Sequence, residues 1–215
     1  MIKIDHLFQE WQEKRQSLSV KENPYLEYPD ENLWEMWEKL CKVPPLRFAL
    51  VNLDLPYDIA QFAQVVLSTS DRVPHIATYL VGEALDFMHA KTRNKIMSWN
   101  IREENIKWLP RKRTTLADLK TEGFRLIGTS PNEGENALEF KWSAKDIIVI
   151  GAAKGLSQKN IKLLDTMIKI PCSPEVPFLT TPTVIPILAY KTLHDRGLWT
   201  EKSAPGGGSI TPSLK

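Results

Sequence analysis

Cysteine is scarce in this sequence: Cys41 and Cys172 are the only two in 215 residues. Two thiols are too few for the disulfide framework of a small secreted protein or for a cysteine-based zinc site. The four histidines are His6, His75, His89 and His194. Their spacing is not that of metal ligands, so we expect no metal site. The scarcity of cysteine is typical of the cytoplasm or another reducing intracellular compartment.

Long apolar runs are missing as well. No stretch approaches the ~20 consecutive apolar residues that a membrane-spanning helix needs. The first residues, MIKIDHLFQEWQEKRQ, are too mixed in charge for a secretory signal. The charge is nearly balanced, with 28 Lys+Arg against 26 Asp+Glu. We therefore expect a soluble protein that does not bind membranes, in which affinity for a nucleic acid has to come from a local cluster of charge.

Two amphipathic helices are predicted near the amino terminus. Asp5 can cap the first and Asp30 the second, and each is followed by apolar residues at helical spacing. A Pro-Pro pair then marks a change of pattern and a domain boundary. We expect a helical extension over 1–45, a main domain over 46–200 and a disordered tail over 201–215, where apolar residues are too few to pack.

Strands and helices alternate through the main domain. Apolar and β-branched runs predict five strands, within 46–56, 76–82, 124–129, 147–151 and 167–171. Helical spacing predicts helices over 57–67, over 115–122 and after Ser157, and a last helix from near Thr183 to Gly197 with Pro186 in its first turn. Such alternation favours an α/β fold, in which a mostly parallel sheet is covered by helices on both faces.

The densest cluster of charge lies at 91–113, which holds eight basic residues against the two acidic residues Glu103 and Glu104. Trp99 and Trp108 lie among them. Lysine and arginine neutralise phosphates and exposed aromatic rings stack on unpaired bases, so this composition suits single-stranded or looped RNA. A solvated loop whose tryptophans pack inward is the alternative. The candidate RNA-binding residues are Lys91, Arg93, Lys95, Arg102, Lys107, Arg111, Lys112 and Arg113.

The stretch IIVIGAAKGLS, residues 147–157, combines a buried strand with two glycines and a serine that can cap a helix. Main chain at such a turn closely approaches whatever lies above the end of the strand. The stretch has neither the features of a P-loop nor the spacing of a dinucleotide-binding fingerprint, which disfavours a doubly wound nucleotide-binding domain. After the last strand, the proline- and threonine-rich segment 172–190 predicts a rigid, ordered loop before an apolar helix.

The order of these pieces resembles the SpoU/TrmH group of SPOUT methyltransferases over about residues 46–199. LVNLDLPYDIAQFAQVVLSTS looks like the first motif of that family. TTLADLKTEGFRLIGTSPNEG looks like the helix and strand before the second motif, and IIVIGAAKGLSQKNIKLLDTMIKIP like that motif and the next strand. PEVPFLTTPTVIPILAYKTL occupies the place of the third motif.

This resemblance implies a C-terminal trefoil knot and a homodimer formed through the knot region. It also implies S-adenosyl-L-methionine as cofactor, and transfer of its methyl group to a ribose 2′-hydroxyl of structured rRNA or tRNA. Positions that contact the cofactor in the family match here at Gly151, Ile170 and Leu179, and Pro171 also fits. Such contacts are made largely by main chain, so a cofactor pocket tolerates drift of its side chains.

The polar residues that the family uses in catalysis are replaced. The first motif carries asparagine and arginine where this sequence has Asp58 and Gln64. The second carries glutamate near the position of Ala153, and the third carries asparagine and serine where this sequence has Thr180 and Pro182.

Two hypotheses about function follow from these replacements. One is a divergent 2′-O-methyltransferase, in which Thr180, Thr181 or Lys154 has taken over part of the catalytic work. The other is a catalytically inactive RNA-binding homologue that serves as a structural or RNA assembly factor.

Overall fold

A computed structural model describes residues 6–10, 12–13, 31–41, 44–70, 74–107, 109–176 and 178–197. The strands are β1 (Leu46–Val51), β2 (Ile76–Val81), β3 (Arg111–Thr114), β4 (Arg125–Thr129), β5 (Glu135–Asn136), β6 (Asp146–Gly151) and β7 (Thr166–Lys169). The helices are α1 (Glu31–Leu40), α2 (Pro56–Ser68), α3 (Ala90–Met97), α4 (Glu103–Lys107), α5 (Leu116–Thr121), α6 (Gln158–Ile161) and α7 (Thr181–Asp195). Residues 6–10 and 12–13 are also helical.

The described strands form one sheet in the order β3-β2-β1-β6-β4-β7-β5, and each pairing is parallel. The prediction of an α/β fold with a mostly parallel sheet is confirmed. The sheet has seven strands rather than the five predicted. The sequence of β3, RKRT, has no apolar run and β5 has only two residues, so neither carries the pattern by which strands are recognised.

Separate apolar cores cover the two faces of the sheet, because successive side chains of a strand point to opposite faces. In β1, Phe48 and Leu50 enter the core shared with α2 and α7, whereas Ala49 and Val51 enter the core shared with α5. Strands β1 and β2 are buried throughout because helices cover both faces of the sheet.

Helix α1 lies against the sheet. Its Trp37 is fully buried and packs in a cluster with Ala77 of β2, and the indole Nε1 donates a hydrogen bond to the carbonyl oxygen of Pro74 at 2.8 Å. Glu38 forms an ion pair with Arg47 of β1 at 3.2 Å. The division of the chain into three parts stays a prediction.

The last helix begins earlier than the sequence indicated. Helix α7 starts at Thr181, two residues before the predicted start near Thr183, with Pro182 in its first turn and Pro186 inside the helix. Thr180 has extended backbone and serves as the cap residue, and proline is favoured directly after such a residue because its φ is already helical.

Several predictions concern residues outside the described ranges. They are the caps Asp5 and Asp30, Trp108, and the tail 201–215. No described helix is both long and apolar enough to cross a membrane. The trefoil knot stays a prediction.

Candidate functional site

A cleft of about 960 Å³ lies at the carboxyl edge of the sheet. It is lined by the segments that follow β1, β4, β6 and β7 and by the first turns of α7. The chain runs outward from β1 through β2 to β3 and then crosses to the other side of β1, so the strand order changes direction here. Parallel α/β sheets bind ligands at such a point, and this volume is typical of a ligand pocket.

The glycine loop after β6 forms one wall of the cleft. The amide of Gly155 donates to the carbonyl oxygen of Ala152 at 2.7 Å, and Gly155 has a φ of +75°. A Cβ atom on Gly151 would lie 2.9 Å from the carbonyl carbon of Gly155. Gly151 is therefore required because the loop folds back onto it. Beyond the loop, the Ser157 hydroxyl accepts a hydrogen bond from the amide of Asn160 and begins α6 as expected.

The segment between β7 and α7 forms the facing wall. The Thr181 hydroxyl donates to the carbonyl oxygen of Gly151 at 3.5 Å, which links the start of α7 to the glycine loop. The Thr180 and Thr183 hydroxyls lie 3.1 Å apart. Leu179 is half-buried, whereas Phe178 is 60% exposed although it lines the cleft.

The structure brings together most of the positions selected from the sequence. Of the cofactor positions, Gly151, Ile170 and Leu179 line the cleft, whereas Pro171 is exposed beside it. Of the positions that replace family catalytic residues, Gln64 is exposed and not part of the lining. The other four positions line the cleft: Asp58, Ala153, Thr180 and Pro182. Lys154 and Thr181 line it as well.

Asp58 is the buried acid of the cleft. It lies in the first turn of α2, directly after β1, and is only 8% exposed. Burial, and secondly the neighbouring carboxylate of Asp54, raise the pKa of Asp58. Among the described residues that line the cleft, Lys154 is the one cationic side chain, and it is exposed. Among the described residues, no cation counts among the causes of this shift.

An aromatic cluster stands at the mouth of the cleft. Tyr57 lines the cleft and is 50% exposed, and the edge of its ring meets Trp99, with ring centroids 6.2 Å apart at 84°. The ammonium group of Lys95 lies 5.6 Å from the Tyr57 centroid and 5.4 Å from that of Trp99. Gln61 Nε2 donates to the Tyr57 hydroxyl at 2.9 Å. These contacts fix the tyrosine ring while half of its surface stays open.

The basic segment 91–113 is folded rather than an open loop, since it contains most of α3, all of α4 and most of β3. Arg111, one of the predicted RNA-binding residues, is engaged within the protein instead of being open to solvent. Its side chain is buried, with Nε donating to Asp86 Oδ2 at 2.6 Å and Nη1 donating to the carbonyl oxygens of Lys107 and Leu109. A guanidinium held in this way cannot reach a phosphate.

The other basic residues of the segment differ in how far they are engaged within the protein. Arg113 donates to the carbonyl oxygens of Gly82 and Ala84, and so holds the loop after β2. Arg93 and Arg102 form ion pairs at 3.3 Å with the acidic residues of the segment, Glu103 and Glu104. Lys107 is half-buried. Lys91 and Lys112 are exposed.

Tyr57, Cys172 and Phe178 are among the residues that line the cleft but were not selected as site residues from the sequence. Tyr57 directly precedes Asp58, so the ends of the predicted strands could have indicated it. Phe178 lies in a loop whose path depends on the whole fold. Among the described residues, no group of three or more His, Cys, Asp or Glu side chains is placed to hold a metal ion.

The profile of the SpoU rRNA Methylase family matches residues 68–180, which is more than half of the chain. The matched region includes α3 to α6 and the strands from β2 to β7, and it ends at Thr180. No curated protein matches the sequence.

Solved structures share the fold at low identity. The SpoU methyltransferase AviRb from Streptomyces viridochromogenes, in complex with AdoMet, is 17% identical with a TM-score of 0.58, covering 72% of this chain and 59% of AviRb. An AdoMet-bound rRNA methyltransferase from Sinorhizobium meliloti is 14% identical with a TM-score of 0.60, covering 74% and 59%. The A. aeolicus TrmH/SpoU tRNA modifying enzyme is 15% identical with a TM-score of 0.56, covering 92% of both chains. The chain thus spans about three fifths of the first two proteins.

Proposed function

Because the chain belongs to the SpoU rRNA methylase family, we propose that it binds S-adenosylmethionine in the cleft and methylates a ribose 2′-hydroxyl of a structured rRNA or tRNA. The observation that carries this proposal is the cleft itself, at the carboxyl edge where β1, β6, β4 and β7 end. The residues that would hold the cofactor are Gly151, Ile170 and Leu179, with Pro171 beside them. When bound, S-adenosylmethionine supplies an electrophilic methyl group.

The chemistry of the lining supports this choice of ligand. The lining includes the apolar residues Ile150, Ile168 and Leu179, and it also includes the glycine loop, Thr129 and Asn132, which carry polar groups. A nucleoside with an amino-acid tail needs both kinds of surface. Proteins usually bind such molecules in concave, mostly apolar pockets that carry a few polar groups.

Asp58 is the residue we assign to the proton of the ribose hydroxyl. A hydroxyl is a weak nucleophile at neutral pH and needs a positioned group to accept its proton, a contribution of about two to four orders of magnitude in rate. The Asp58 carboxylate lines the cleft and its pKa is raised by burial and by Asp54, which makes it a stronger base than an ordinary aspartate. The family resemblance implies an arginine at the position where this chain has Gln64. Asp58 would replace that arginine in assisting the loss of the hydroxyl proton.

A second candidate function is RNA binding without catalysis. It is favoured by the position of Gln64, which is exposed and outside the cleft, and by the lack of an arginine among the described residues that line the cleft. A chain that kept the fold and the RNA surface, but lost the catalytic groups, could serve as a structural or assembly factor.

Titration calorimetry with S-adenosylmethionine and with its demethylated product tests the binding step. We expect both to bind the wild-type protein. Ala153→Trp should abolish binding because Ala153 lines the cleft, whereas Ala117→Trp, a matched change at an exposed position of α5, should not. The absence of binding at millimolar ligand would overturn the proposal.

Transfer of a labelled methyl group to total RNA tests the reaction. Label recovered in 2′-O-methylated nucleosides supports the enzyme. Cofactor binding without transfer to any RNA fraction would favour the second candidate. The family resemblance also leads us to propose a homodimer through the knot region, which the molar mass in solution, measured by light scattering, checks directly.

A further inference from the structure

Three large apolar side chains at the cleft remain exposed to water. Leu55 and Tyr57 are each 50% exposed and Phe178 is 60% exposed, and all three line the cleft. Exposed apolar side chains that gather at one concave site, rather than scattering singly, mark a surface that binds a partner.

Tyr57 presents a fixed flat ring. Trp99 meets it edge to face, Lys95 places its ammonium group 5.6 Å from the ring centroid, and Gln61 donates to its hydroxyl. A ring held by three neighbours loses little conformational freedom when a second flat group stacks on its open surface. Phe178 reaches the same cleft from the segment before α7, so the two rings come from different segments of the chain.

Lysine side chains occur on the same segments as the aromatic rings or line the same cleft. Lys95 lies beside Tyr57, Lys154 lines the cleft as part of the glycine loop, and Lys91 is exposed on α3, the helix that also carries Lys95. Aromatic rings that stack on bases, together with lysines that neutralise the backbone, are the combination by which proteins bind unpaired nucleotides. Bases within a duplex are stacked on one another and cannot reach such rings.

We propose that Tyr57 and Phe178 form an aromatic clamp for one unpaired nucleobase of single-stranded or looped RNA, at the mouth of the cleft. This inference rests on the proposed function, because it places the target nucleotide next to the cofactor. It adds the two side chains that would hold the base of the target nucleotide.

The probe is a single-stranded oligoribonucleotide of about 12 nucleotides, a length suited to a single-strand binding groove, with 2-aminopurine at its centre. Stacking on an aromatic ring quenches the fluorescence of this base. We expect the wild-type protein to bind the probe and quench it, and the same probe in a duplex to bind more weakly. Tyr57→Leu and Phe178→Leu should each weaken binding by about tenfold and restore fluorescence, since stacking of one base typically contributes this much.

Matched variants separate stacking from general effects. Tyr57→Phe keeps the ring and should bind and quench like the wild type. Leu138→Ala removes an exposed apolar side chain that does not line the cleft, and should change nothing. The proposal is overturned if the wild type does not quench the probe, or if both leucine variants bind and quench as the wild type does.

Calorimetry with S-adenosylmethionine on the same samples distinguishes this inference from the proposed function. If the protein binds the cofactor but does not quench the probe, the clamp is refuted and the cofactor site stands. If the protein quenches the probe through Tyr57 and Phe178 but binds no cofactor, the clamp stands and the proposed methyltransferase activity is refuted.

Discussion

The guanidinium of Arg111 and the carboxylate of Asp86 form a buried ion pair, with Nε and Oδ2 2.6 Å apart. Asp86 Oδ1 also accepts a hydrogen bond from the amide of Met88 at 2.7 Å. The pair therefore connects β3 to the loop after β2, close to the edge of the sheet. Removal of one partner leaves the other buried and charged, which is costly.

Arg111→Met should therefore lower the free energy of unfolding by about 3 kcal/mol, because Asp86 is left without its cation. Lys112→Met, on the next residue of the same strand, should change it little because Lys112 is exposed. Urea unfolding of both variants makes the comparison. Equal stabilities would show that the ion pair contributes nothing.

The two cysteines should differ sharply in reactivity. Burial, and secondly Glu38, raise the pKa of Cys41 to about 12, whereas Cys172 is exposed and lines the cleft. Since the thiolate is the reactive form, iodoacetamide at neutral pH should modify Cys172 and spare Cys41 in the folded protein. Saturating S-adenosylmethionine should slow the modification of Cys172. Peptide mass spectrometry measures both sites, and an unprotected Cys172 would argue against cofactor binding in the cleft.

Asp146 should make stability fall in acid. Burial alone raises its pKa, but hydrogen bonds from Arg125 and from the amide and hydroxyl of Ser143 outweigh burial and lower it. A lowered pKa in the folded state stabilises the protein above the pKa of the unfolded chain, and this stabilisation is lost as the pH falls through the folded value.

Asp146→Asn should accordingly cost about 1–2 kcal/mol at neutral pH, a modest figure because water screens Arg125, which is 43% exposed. The difference from the wild type should shrink as the pH falls below the ordinary aspartate value of about 3.9. Urea unfolding across this range measures it, and a difference that does not depend on pH would contradict the assignment.

Asp58 should show the opposite relation between pH and stability. Its pKa is raised, so its contribution is favourable at low pH and is lost as the pH rises through the folded value. Asp58→Asn should then stabilise the protein at neutral pH while lowering methyl transfer by about a hundredfold, as expected for removal of a proton acceptor. The exposed neighbour supplies a graded control, because Asp54→Asn removes only the secondary contribution to the raised pKa of Asp58 and should lower transfer far less.

The two effects of Asp58→Asn are measured separately, by thermal unfolding and by transfer of labelled methyl groups. Retained affinity for S-adenosylmethionine in calorimetry would exclude a simple loss of the cleft. Full transfer activity in the variant would remove Asp58 from the mechanism.

The sequence predicted the centre of the sheet better than its edges. β1 and β6 are nearly continuous runs of apolar residues, because each is buried on both faces. β3 is an edge strand and reads RKRT, so its charged residues indicated an RNA surface rather than a strand. The start of α7 was predicted two residues late because Pro182 and Pro186 are both compatible with a first turn, and only the path of the preceding loop decides between them.

The candidate site was predictable in part. The glycine loop and the segment before α7 were recognised from their residues, and Asp58 from its place in the first motif. The burial of Arg111 was not predictable, since its partner Asp86 lies in another loop. The pairing of Tyr57 with Trp99 likewise depends on the packing of α2 against α3, which local sequence does not encode.

The parallel pairing of β1 with β6 has a consequence for folding. Arg47 lies opposite Ile147, so the two central strands meet only after a long stretch of chain has been brought together. The entropy lost in closing such a loop delays contacts of this kind. The cleft can form only at the end of folding, because it is built on the ends of β1, β4, β6 and β7 together. A ligand of the cleft would therefore slow unfolding of the finished protein and leave its rate of folding unchanged.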